Sequence, residues 1–99
     1  MIVIKINKLP TSKEELKERT RRAWKRNIRT LTNETELITL YKGKIVGVFT
    51  ILGIKQDELE PNRVAFVLSE KSSPLVGKNV HYSTSNPCTV IDINQLRFT

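Results

Sequence analysis

An α+β domain is the fold class this sequence predicts: one amphipathic helix packed across a strongly bent, mainly antiparallel sheet, or a small β-barrel. Three stretches carry that prediction. Met1–Asn7 alternates Ile2, Ile4 and Ile6 against Val3 and Lys5, the period of two expected of a strand with one face in the core. From Lys13 onward, at about 100° per residue, Leu16, Thr20, Ala23, Trp24, Asn27, Ile28 and Leu31 fall on one side of a helix, and Arg21, Arg22, Lys25, Arg26 and Arg29 fall on the other. After Thr35 the chain turns to β-branched and aromatic runs separated by glycine, proline and acidic loops.

The elements follow in order. Lys8-Leu9-Pro10 ends the first strand, and Thr11-Ser12 followed by Glu14-Glu15 supplies two overlapping capping boxes, so the helix starts near Lys13. Its first turn is acidic and its last turns are basic, which suits the helix dipole, and the pattern predicts that it runs to about Arg29 or Leu31. Glu36–Lys42 and Lys44–Lys55 form a strand pair joined at Lys42-Gly43, where glycine permits the positive φ of a tight hairpin. Gly47 and Gly53 inside the second run predict bends or bulges, hence a curled sheet. Gln56–Asn62 is an acidic loop before a further strand, Arg63–Ser69. Val80–Tyr82 is a short strand, Cys88–Ile93 closes the sheet, and Leu96 and Phe98 pin the tail.

The chain has 99 residues, 38% hydrophobic and 27% charged, which is the composition and size of a single globular domain spanning residues 1–99. No run reaches the roughly 18 apolar residues of a membrane span and no signal-peptide pattern opens the chain, so a cytoplasmic protein without membrane contact is expected. Cys88 is the only cysteine, which excludes an internal disulfide and fits a reducing compartment. His81 and Cys88 are too few soft ligands for structural zinc, and no cofactor is expected.

The net charge is +7, and Arg19, Arg21, Arg22, Lys25, Arg26 and Arg29 supply six positive charges, with no negative one among them, between residues 19 and 29. Such a concentration points to a polyanion, nucleic acid first. On a continuous helix Arg22, Lys25, Arg26 and Arg29 would form a stripe about 11 Å long, enough for two or three phosphates of one strand. Two other roles compete: a solvated helix face with no partner, and a surface that docks on an acidic host or partner protein.

Several other side chains carry paired readings. Trp24 can stack on a base, but its place in the apolar arc favours the core. Arg21 borders the arc and can turn inward to an acidic partner or outward to phosphate. Tyr41, Tyr82 and Asn86 are, with Trp24, the candidate lining of a pocket, against the plainer roles of strand packing and turn chemistry. A base and nucleophile pair of His81 and Cys88 lacks a third orienting group. A metal-independent ribonuclease built on His81, Arg97 or lysines shows no motif, and a noncatalytic function is expected.

Taken in order, Thr20-Arg21-x-x-Trp24-Lys25, Tyr41-x-Gly43-x-x-x-Gly47-Val48-Phe49, Phe66, Gly77-Lys78-x-Val80 and Ser85-Asn86-Pro87 resemble a small bacterial and phage domain found alone or fused to GIY-YIG-type nuclease modules. The order of elements is also similar to the PUA-like small-barrel plan shared by PUA, ASCH and EVE domains. That resemblance implies binding of RNA or a modified nucleotide, and with the basic run the expected function is a noncatalytic module that binds RNA or DNA, including a modified or flipped nucleotide. The first family's glycine and second tryptophan near the helix stand here as Arg22 and Ala23, so no aromatic pair is implied, and without GIY or YIG motifs no nuclease activity is implied either.

Overall fold

A computed structural model describes residues 1–99. The elements are β1 (Ile2–Ile6), α1 (Lys13–Arg21), β2 (Glu36–Tyr41), β3 (Lys44–Gln56), β4 (Val64–Glu70), β5 (Val80–His81), β6 (Cys88–Val90) and β7 (Arg97–Phe98). Single 3-10 turns at Ile28–Thr30 and Ile93–Gln95 complete the chain. The α+β class holds: one helix accompanies a five-stranded sheet of order β4-β3-β2-β1-β6, and β5 and β7 form a separate two-stranded ladder. Pairing is mainly antiparallel, with β1 and β2 parallel because α1 lies between them in the chain. The sheet is open, with β4 and β6 as its edges.

Both faces of this sheet bury apolar side chains. Ile2, Ile4, Ile6, Leu37, Phe49, Phe66 and Leu68 pack on one face with Trp24 and Leu31, and Leu16 of α1 leans on the same cluster. Val3, Ile38, Leu40, Ile45 and Val48 pack on the other with Val80, Ile91 and Leu96. Val3 is therefore core rather than surface, because β1 sits between β2 and β6 and the C-terminal segment covers its second face. Leu96 is buried as expected, whereas Phe98 is half exposed and holds on through its backbone pairing with Val80.

The hairpin turns on Lys42 at φ 48° and Gly43 at φ 78°, the two left-handed residues of a type I′ turn. The register slips between Thr39 and Leu40, opposite Val46, and again between Ile51 and Gly53. Gly47 and Gly53 thus flank bulges, as their place inside a long strand predicts. At Gly47 a Cβ would meet the Phe49 ring at 2.9 Å, so this glycine also makes room for that ring.

The helix begins where the capping residues put it, with Ser12 Oγ accepting the Glu15 amide at 3.1 Å. It ends much earlier than its apolar periodicity predicts. Arg21 is the last helical residue, Arg22 is extended, and Ala23 adopts φ 70°. Trp24 then pairs with Val64 as an isolated antiparallel bridge, through Trp24 N to Val64 O at 3.1 Å and Val64 N to Trp24 O at 2.9 Å. In a continued helix the Trp24 amide would bond to Thr20 O. Here the indole Nε1–H takes that carbonyl at 2.7 Å, so a side chain replaces the missing backbone donor at the helix C-terminus.

Candidate nucleic-acid interface

The early helix end disperses the six cations. They do not form one helical stripe; they divide into a neutralised pair and an anion-free set. Asp57 is the centre of the neutralised pair: it is 3% exposed, and its carboxylate accepts from Arg22 through Nε at 2.9 Å and through Nη2. The Leu59 and Glu60 amides donate to the same carboxylate at 3.1 and 3.0 Å. Chiefly through the Arg22 hydrogen bonds, the Asp57 pKa falls to about 2. Arg21 lies beside it, bonded to Glu18 at 2.7 Å and Glu58 at 2.9 Å, and those hydrogen bonds raise its pKa and lower that of Glu58. Arg21 thus takes acidic partners, and Arg22, assigned to the stripe by periodicity, does the same.

Arg19, Lys25, Arg26 and Arg29 make no ion pair. Lys25 and Arg29 are exposed. Arg26 is half-buried and donates to Cys88 O at 2.7 Å, which ties the segment to β6. That tie sets Arg26 at the end of the Thr84–Cys88 turn, at whose other end Lys5 Nζ donates to Thr84 O at 2.5 Å. Asn27 Oδ1 accepts the Arg29 amide at 3.0 Å and so caps the 3-10 turn that presents Arg29. Arg19 lies over the Trp24 ring, 5.4 Å from its centroid.

The four candidate pocket residues do not come together. Trp24 is 6% exposed and packed in one core cluster, with Tyr41 at its margin, whereas Tyr82 packs against the cluster on the opposite face. Tyr82 Oη is 2.6 Å from Thr89 Oγ1. Asn86 is exposed, and its side chain accepts the Cys88 amide at 3.1 Å, the ordinary bond of an Asx turn. Comparison of the chain with protein-family models, curated proteins and solved structures finds no match.

His81 and Cys88 differ in setting. Cys88 is buried, and burial raises its thiol to about pKa 11, so it stays protonated near neutrality. His81 is exposed on β5 directly opposite Arg97 of β7. That pairing joins two residues named for a ribonuclease, but it lies on a two-residue ladder of the surface. No group of three His, Cys, Asp or Glu side chains is arranged to hold a metal ion. No helix is long and apolar enough to cross a membrane.

The acidic loop, whose Asp57 and Glu58 take Arg22 and Arg21, is an element that helical periodicity does not report. Its signal was the cluster Asp57, Glu58 and Glu60 itself, since a basic run and an acidic loop in one small domain are natural partners.

Proposed function

We propose that this protein is a noncatalytic nucleic-acid-binding module whose phosphate contacts come from Lys25, Arg26 and Arg29, with Arg19 beside them. The observation that carries this reading is the absence of any carboxylate partner for these four cations, while neighbouring Arg21 and Arg22 are paired. An unpaired cation near a surface keeps its charge available for a phosphate, and one held in an ion pair must first give up its partner. Arg26 adds order, because its bond to Cys88 O fixes the backbone between Lys25 and Arg29.

Such contacts position a strand without reading its bases. The resemblance to the bacterial and phage domain seen with nuclease modules belongs to the same proposal, and so does the PUA-like plan, read here as a kinship of element order in an open sheet. Binding of labelled oligonucleotides at increasing salt tests the reading. Engagement of three or four phosphates gives a slope of log affinity on log salt of about −2 to −3 for single strands and −3 to −4 for duplex, similar for unrelated sequences. A slope near zero, or no binding at low salt, rejects it.

A further inference from the structure

A second surface, away from the Lys25–Arg29 segment, has a different chemistry. Between α1, the first half of β3 and the Lys71–Gly77 loop runs a groove made of two adjoining cavities of about 420 and 360 Å³. Leu16, Val46 and Val76 line both, so the floor is continuous. Leu9 at one end is 47% exposed and Val76 is 50% exposed, large apolar groups that solvent would otherwise wet. Phe49 lies beneath, its ring packed closely against Gly47.

The rim is cationic. Lys13, Lys17 and Lys71 border the first cavity, and Lys13 and Lys44 border the second, against Glu14 and Glu70. Lys17 and Lys44 have no ion-pair partner. Lys13 stands 3.6 Å from Glu70 with both side chains largely in water, a pair weak enough to exchange for another carboxylate. The floor is aliphatic, and the one aromatic ring, Phe49, is 3% exposed, so no base can stack there.

We infer that this groove docks an acidic segment of a partner protein, whose apolar side chains fill the Leu9–Leu16–Val76 floor while its carboxylates meet Lys13, Lys17 and Lys44. A nucleic-acid strand satisfies the lysines but leaves the floor wet. A basic peptide satisfies the floor but meets like charge. Only an acidic segment with apolar anchors answers both.

The test uses the whole chain and a labelled short peptide of leucines among glutamates, beside two controls, leucines among lysines and glutamates alone. Fluorescence anisotropy should detect the first peptide and neither control. The exposed substitutions Lys17→Glu with Lys44→Glu should weaken it at least about tenfold. Val76→Asp should do the same while leaving oligonucleotide affinity unchanged, which separates this groove from the nucleic-acid surface. Amide shifts on adding the peptide should cluster at Lys13–Lys17, Val46–Phe49 and Val76. The inference is overturned if the leucine–glutamate peptide does not bind, if either control binds as well as it does, if the lysine and Val76 variants bind like the parent, or if an oligonucleotide displaces the peptide from this groove.

Discussion

Arg22 grips the buried carboxylate of Asp57 with Nε and Nη2, across 35 residues of chain, and this contact turns the backbone out of the helix that the apolar pattern would continue. The acidic loop is thereby a fold element. It draws charge from the basic run and leaves Lys25 and Arg29 exposed and without ion-pair partners, with Arg26 tied between them to Cys88 O.

Asp57 should make stability depend on acid. Folding lowers its pKa to about 2 from an ordinary value of 3.8, so the unfolded chain binds the proton more readily. The carboxylate's contribution is complete above about pH 4 and is lost as pH falls toward 2. Asp57→Asn should remove that dependence and lower Tm at neutral pH by roughly 10 °C, because it takes the hydrogen-bonded counter-charge from half-buried Arg22 and leaves it only Glu60 at 4.0 Å. Thermal melts from pH 7 down to 2 measure this, and a variant melting like the parent at every pH contradicts the role given to the pair.

Trp24→Ala should cost about 3–5 kcal/mol, since the indole is both core and helix cap. Trp24→Phe should cost less, keeping the packing while leaving Thr20 O without its donor. Denaturant melts of the two variants separate packing from capping. Neither variant, studied where it is folded, should change the salt slope of nucleic-acid binding.

Ala23 carries its φ of 70° with a methyl group attached, a left-handed conformation that costs most residues about 1–2 kcal/mol. Ala23→Gly removes that strain but gives the unfolded chain back about 0.5–1 kcal/mol of entropy, so the net expectation is a gain between about 0 and 1.5 kcal/mol. A clear loss of stability indicates that the methyl group is held by packing instead.

Cys88 should resist thiol reagents. With its pKa raised to about 11 and its side chain buried, native protein at pH 8 should react far more slowly than protein in denaturant. Reaction at the rate of a free thiol contradicts the burial of β6 against β1.

Much of the fold was legible locally. Ser12 fixed the helix start, Lys42-Gly43 fixed the hairpin, and Gly47 and Gly53 marked the bulges, because caps, turns and bulges depend on residues a few positions apart. The helix end was not legible. Trp24 and Leu31 are buried as the arc predicts, but they reach the core from extended and turn backbone, so side-chain periodicity survived while the helix did not. What ended it, Asp57 and Val64, lies far along the chain, and no local pattern reports a contact at that separation. The same long-range pairing divided the basic run, which composition could only present as one block.

The most direct measurement compares two double variants that each remove two positive charges. Lys25→Gln with Arg29→Gln takes the unpaired cations, and Arg21→Gln with Lys55→Gln takes cations already engaged by Glu58. If Lys25 and Arg29 contact phosphate, the salt slope in the first variant should fall by about 1.4 on a single strand and about 1.8 on a duplex, while the second keeps the parent's slope. Equal changes in both variants, or a change in the second alone, contradict the assignment of the interface to the Lys25–Arg29 segment.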